Sequence, residues 1–399
     1  MAEGLPPAGS LHVLMIALGD QVLTGEGGDT RQRHLEYAER IGHLHMVVYS
    51  PRESGLRETA LSDRLTVYPT RSATRPGFIL DATRLGAEVC RAHSIDLITT
   101  QDPFTTGLPG AWLKRRFGIP LDVQNHSDFF DNREWIGEHP LRNAFFNRLG
   151  KWVIRRADTH RVLNRAEQDK YLRMGIPAER VIVLATPTRL DRFGPDGPPG
   201  EGESLRAALE LPPGAPVLLW VGRPVRFKQV PLLVEAVALV RAAHPDVRLI
   251  LVGDFSDRPD VYEQVERLNL TQIVHFAGRV PHESLPAYYR LASIYVHSSV
   301  YEGLGKVMIE AAASGLPVVS TRTAGAAEIV VEGETGLLCE PGHVVGLAEK
   351  IIMLLDDPRR AAALGAAGRA FVLRKFDHAA NLDAVIDTWR RTAALGGRG

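Results

Sequence analysis

Ile294-Tyr-Val-His-Ser-Ser-Val-Tyr-Glu-Gly-Leu-Gly-Lys-Val-Met-Ile-Glu-Ala-Ala-Ala-Ser-Gly-Leu-Pro-Val-Val-Ser320 decides how the rest of the chain is read. A short apolar run, 294–297, leads into a loop with two glycines, then a stretch at helical spacing, 307–314, and a second apolar run, 317–320. Strand, loop, helix and strand in that order make one parallel crossover unit. Glycines let the loop backbone approach a ligand closely. The amides of Gly303, Leu304, Gly305 and Lys306, at the positive end of a helix, attract an anion such as a diphosphate. Glu302 lies just before the helix and Glu310 eight positions later. Along a helix axis that spacing staggers the carboxylates by roughly 12 Å with a phase difference of about 80°, an offset suited to hydroxyls on both sides of a diphosphate. Two solvated glutamates at a helix start are the plainer alternative.

The same alternation runs outward in both directions. Upstream strands are expected at 11–18, 44–49, 65–68, 97–100, 121–124, 159–163 and 181–184, with helices such as 29–41 and 79–93 between them. The rhythm breaks at 186–216, where Phe193-Gly-Pro-Asp-Gly-Pro-Pro-Gly200 and Pro212-Pro-Gly214 read as a linker. It resumes with strands at 216–221, 247–252 and 273–277 and helices at 231–243, 261–268 and 285–291. A last helix, 379–394, could pack on either half. Two doubly wound α/β halves result, and in such sheets ligands sit outside the carboxyl ends of the strands, which points to a cleft between the halves.

Composition limits the function classes. The 399 residues are 45% hydrophobic and 24% charged, which excludes disorder, collagen and coiled coil. Lys plus Arg and Asp plus Glu both number 47, so bulk charge does not hold this chain to nucleic acid. Cys90 and Cys339 are the two cysteines and match no metal-ligand spacing, which fits a reducing cytosol. The run 11–18 has no basic residue before it and Gly19-Asp20 after it, so it reads as a strand and not as a leader. No run of about 18 apolar residues suggests a membrane span.

A second anion feature is Trp220-Val-Gly-Arg-Pro-Val-Arg-Phe-Lys-Gln229. It follows the strand at 216–221, so Arg223, Arg226 and Lys228 are expected at the carboxyl edge of the second sheet. Arginine offers a planar fork to phosphate oxygens and lysine a compact point charge. A solvated basic loop is the alternative.

Gly222-Arg223 followed by Lys228, then Glu302-Gly-Leu-Gly305 and Glu310-Ala-Ala-Ala-Ser-Gly-Leu-Pro-Val-Val319, resembles the signature of retaining GT-B glycosyltransferases of the family-4 type, the group 1 glycosyl transferases. Supporting features are Arg155-Arg-Ala-Asp158, Gly175-Ile-Pro177, Asp191-Arg-Phe193, Gly253-Asp254 and the stretch 325–328. The resemblance implies two Rossmann-like domains facing a central cleft: an acceptor-side domain at 1–189, a nucleotide-sugar-binding domain at 190–375, and a helix at 376–399 returning to the first.

It further implies that Glu302 holds hydroxyls of the transferred sugar, Glu310 the ribose, and Arg223 with Lys228 the diphosphate. Gly222, Gly303, Leu304, Gly305 and Lys306 would complete the donor site. These cations would stabilise the leaving group, so no cofactor or metal is expected, and front-face attack within an ion pair is the family's usual proposal. His126, in Gln124-Asn-His-Ser-Asp128, corresponds to a histidine beside the transferred sugar, and Asp128 is an acceptor-side candidate for proton removal. The loop with Gly25-Glu-Gly-Gly28 resembles the family's glycine-bearing loop, with Gly28 as its donor contact, but is longer and more acidic. Thr186-Pro-Thr-Arg-Leu-Asp191 departs from the Asn-Gly common at the domain switch.

The stretch 141–157 mixes Phe145, Phe146 and Trp152 with Arg142, Arg148, Lys151, Arg155 and Arg156, and Lys114-Arg-Arg116 lies upstream. This face suits peripheral contact with an anionic membrane; a buried stripe with snorkelling cations is the alternative. The expected partners are a nucleotide sugar and a glycan or lipid-linked acceptor, at the inner face of the cell membrane in envelope glycan synthesis. An isomerase of the nucleotide-sugar 2-epimerase kind and a non-catalytic sugar-nucleotide binding protein are the other readings.

Overall fold

Strands that are covered on both faces read as near-continuous apolar runs, as Val217–Val221 does, although Leu121–Asn125 also buries Asp122, Gln124 and Asn125. The computed structural model describes residues 5–25, 29–198 and 200–396. The chain divides into two compact units, Met1–Pro187 with His378–Gly399, and Thr188–Asp377.

The first unit carries β1 (His12–Ala17), β2 (His43–Val48), β3 (Thr59–Ser62), β4 (Leu65–Pro69), β5 (Leu97–Thr100), β6 (Leu121–Asn125), β7 (Thr159–Val162) and β8 (Val181–Val183). Their order is β3-β4-β2-β1-β5-β6-β7-β8, parallel except for β3. β3 forms an antiparallel edge with β4, and its side chains are mostly exposed. Being short, polar and solvent-facing, it leaves no apolar run, and the sequence reading misses it.

The last helix, His378–Ala393, belongs to the first unit. Its Leu382, Val385, Ile386 and Trp389 enter the core formed by β1, β2, β4 and helix Thr30–Arg40. The Trp389 ring lies 5.2 Å from that of Tyr37, and Thr392 Oγ1 lies 2.8 Å from Thr159 Oγ1.

The second unit carries β9 (Val217–Val221), β10 (Arg248–Val252), β11 (Val274–Gly278), β12 (Ile294–His297), β13 (Val318–Thr321) and β14 (Gly336–Cys339), ordered β11-β10-β9-β12-β13-β14 and all parallel. β9 and β12 are buried at every residue. The order reverses between them, so the loops leaving β9 and β12 stand side by side at the switch point. The supposed linker contains a helix, Glu201–Ala208, paired to the second unit through Arg290 and Glu201. The proline and glycine clusters flank this helix; Glu201 and Glu203 in its first turn favour its start.

Candidate functional site

The loops after β9 and β12 are knitted together by backbone and side chain. Val300 N donates to Phe227 O at 2.9 Å, Ser298 Oγ donates to Lys228 O at 2.7 Å, and the Phe227 and Tyr301 rings stack at 4.5 Å. This brings Lys228 to Glu302: the ammonium pairs with Glu302 Oε2, and both side chains are largely buried. Burial alone would raise the Glu302 pKa. The Lys228 charge and a contact from His297 outweigh it and hold the carboxyl down at about 2.

His297, the last residue of β12, is wholly buried, and its Nε2 lies 3.4 Å from Glu302 Oε2 and 2.9 Å from Ser299 Oγ. Burial and the Lys228 charge push its pKa below the usual imidazole range, so the ring is neutral at pH 7. The Glu302 carboxylate can only accept, so a proton on Nε2 suits the contact between them, and Nδ1 lies 3.4 Å from the Tyr295 hydroxyl.

Glu302 is not part of the helix. Gly305 takes a left-handed φ of +81°, and the helix Lys306–Ala313 starts after it. The stagger reckoned along a continuous helix therefore does not apply to this pair, because the glycine turns the chain between them. Glu310, on the helix, is buried, with Oε2 accepting from Tyr289 OH at 3.0 Å and Oε1 lying 3.2 Å from His282 Nε2. The Phe193 ring stands edge-on to both His282 and Tyr289.

The remaining donor-side candidates are placed as follows. Arg223 and Arg226 are exposed, and among the described residues neither side chain makes an ion pair. Gly222 N donates to Val252 O at 2.9 Å, so that amide serves the sheet. Leu304 is buried and Lys306 half-buried; Gly303 is buried between them and Glu302. Gly28 lies outside the described residues.

In the first unit, His126 is half-buried just past β6. Asp128, two residues on, is ion-paired with Lys170, which also reaches Glu167 Oε1 at 2.9 Å. Glu167 is buried and accepts from Asn125 Nδ2 at 2.8 Å. Burial, partly offset by Lys170, pushes its carboxyl up to about 8. Among the described residues no three His, Cys, Asp or Glu side chains are grouped to hold a metal ion, and no helix is long and apolar enough to cross a membrane.

Residues 202–371 match the family described as glycosyl transferases group 1, and residues 26–187 match the glycosyl transferase 4-like domain. The 2-deoxystreptamine glucosyltransferase of Streptomyces kanamyceticus is 31% identical over 283 residues, 69% of this chain and 72% of that protein. The chain belongs to the group 1 glycosyl transferases. Sucrose-phosphate synthase from Thermosynechococcus elongatus superposes with a TM-score of 0.81 at 25% identity, covering 96% of this chain and all of that one. Anabaena HepE in complex with UDP-glucose shares the fold, with a TM-score of 0.74 at 21% identity over 95% of this chain and 99% of that one. The fold is GT-B, two Rossmann-like α/β domains, and the activity is glycosyl transfer. The isomerase and the non-catalytic readings are not favoured.

Sequence reasoning missed the neighbours that orient the two glutamates. His297 was visible only as the end of a strand, although a histidine before two serines at a buried strand end is a polar signal. His282 and Tyr289 come from a turn and helix 28 and 21 residues before Glu310, and no spacing rule connects them.

Proposed function

We propose that this glycosyltransferase moves a hexosyl group, with retention of anomeric configuration, from a nucleoside diphosphate sugar to a hydroxyl of a glycan or lipid-linked acceptor. Its place would be envelope glycan synthesis at the inner face of the cell membrane. The observation that carries the reading is the Lys228–Glu302 pair beside the glycine loop at the carboxyl ends of β9 and β12. A diphosphate arriving there would draw the Lys228 ammonium, with Arg223, onto its oxygens and leave the Glu302 carboxylate for sugar hydroxyls. Glu310 would take the ribose hydroxyls.

The bond from the anomeric carbon to the diphosphate breaks while the acceptor oxygen bonds the same carbon on the same face. The acceptor proton passes to a diphosphate oxygen, and Arg223 and Lys228 neutralise the charge left there. His126 would orient the sugar from the acceptor-side domain. Asp128 is held by Lys170, so any part it takes in proton removal requires that pair to open. The chain's own cations supply the charge stabilisation in this scheme, which uses no metal.

The glucosyl transfer named for the Streptomyces relative and the UDP-glucose in the Anabaena neighbour make UDP-glucose the first donor to try. A thermal-shift screen of nucleotide sugars identifies the donor. NMR of the product then compares its anomeric configuration with that of the donor, with and without chelator. An inverted product, or a strict metal requirement, overturns the reading.

A further inference from the structure

We propose that the first unit docks on an anionic phospholipid surface through the outward face of helix Pro140–Ile154 and the apolar groove beside it, with Leu141, Phe145, Trp112 and Trp152 entering the interface. This rests on the reading of a lipid-side acceptor for its biological purpose, but its test needs no transfer.

Leu141 is 92% exposed, Phe145 62% and Trp152 42%. At about 100° per residue, these positions and Arg148 fall within an arc of about 60°, so they form one stripe pointing to solvent. Helices of soluble proteins place such residues inward. This helix does so with Asn143, Gly150, Val153 and Ile154 and with Phe146, whose ring lies 5.7 Å from that of Phe104. The apolar stripe is therefore additional to the packed face, and the alternative of a buried stripe with snorkelling cations does not describe it.

Beside Trp152 runs a groove of about 550 Å³ between helices Phe78–Ala92, Gly107–Phe117 and Pro140–Ile154. Leu80, 76% exposed, and Trp112, 47% exposed, stand at its mouth. Three cations, Lys114, Arg115 and Arg156, line it, and no acidic residue does. The Arg156 guanidinium lies 3.8 Å above the centre of the Trp152 ring. Lys114 is already paired with Asp158 at 2.5 Å, which leaves Arg115 and Arg156, with exposed Arg148 and Arg155, for an external anion.

Charge chooses the occupant. Two copies meeting symmetrically through this face would set arginine against arginine, whereas anionic headgroups complement the arginines and the acyl region accepts the indoles and Phe145. The groove then offers an apolar channel at the depth of the first acyl carbons.

The experiment is co-sedimentation of the full chain with phosphatidylcholine vesicles with and without phosphatidylglycerol, at low and high salt. Binding is expected only to the vesicles with phosphatidylglycerol, and salt should weaken it. Leu141→Ser with Phe145→Ser, both well exposed, should lower partitioning about tenfold or more, and Arg155→Glu with Arg156→Glu likewise, with transfer to a soluble acceptor unchanged. Equal binding to both vesicle types, or wild-type binding by both double variants, overturns the docking. So does a dimer in light scattering that the Leu141 and Phe145 changes dissolve, which would assign the face to a second copy. Vesicle binding by a protein that transfers no sugar would overturn the proposed function and leave the docking intact.

Discussion

His297 Nε2 lies 3.4 Å from Glu302 Oε2, the same oxygen that receives the Lys228 ammonium, so one carboxylate oxygen is held by a neutral imidazole and a charged lysine together. If a diphosphate draws Lys228 away, as proposed, the imidazole is the contact that would stay. His297→Leu should therefore lower kcat about tenfold with a smaller change in donor KM, and His297→Gln, whose amide can donate from a similar position, should recover most of it. Steady-state kinetics on the three proteins decides; equal kcat in wild type and His297→Leu would remove His297 from the site.

Glu310 has no oxygen left without a neighbour: Tyr289 OH donates to one and His282 stands at the other. Tyr289→Phe strips one donor from a buried carboxylate and should raise donor KM about tenfold, while Glu310→Ala should abolish transfer in a protein that still melts cooperatively. Transfer by Glu310→Ala at the parental rate would show that the ribose contact is elsewhere.

A methyl group added at Gly325 would come within 2.7 Å of the Leu304 backbone nitrogen, and Gly325 N itself donates to Glu302 O at 3.0 Å. Gly325→Ala should push the glycine loop off this contact, costing about 1–3 kcal/mol of stability and weakening nucleotide binding with it. Urea unfolding and nucleotide titration on the same preparation check both; a variant that keeps parental stability and affinity would mean the loop yields freely.

His160 is wholly buried, and neither ring nitrogen has a hydrogen-bond partner among the described residues. Burial first, then the charges of Arg180 and Lys114, push its pKa down to about 3. The unfolded chain thus binds a proton below about pH 6.5 that the folded chain refuses, so stability falls as the solution is acidified from 6.5 toward 3. His160→Leu removes this term and should be the more stable protein, with the advantage growing by about 2 kcal/mol between pH 7 and pH 5. Chemical denaturation at the two pH values measures it; parallel behaviour of the two proteins would refute the assignment.

Most strands could be read in advance from their apolar residues, whether buried throughout like Ile294–His297 or on alternate residues like Leu65–Pro69. Ile294–His297 and Leu97–Thr100 match their expected bounds because an apolar run with polar ends has one reading. β3 and β14 escaped, the first because its residues face water, the second because Gly336–Cys339 follows a glycine-rich turn without a longer run. The helix Glu201–Ala208 was hidden by its flanking prolines and glycines.

Local order, the glycine loop before Lys306 and the candidates Glu302, Glu310, Arg223 and Lys228 follow from the sequence alone, since strand burial, glycine conformation and charge are properties of neighbouring residues. Tertiary structure alone decided which groups meet. Lys228 and Glu302 are 74 positions apart and touch because β9 and β12 adjoin at the reversal of strand order. His282 and Tyr289 reach Glu310 from another crossover. Trp389 returns to the first core across the whole second unit, and Leu141, Phe145 and Trp152 are left facing water. Such encounters depend on how helices and strands stack in three dimensions, and no spacing along the chain encodes them.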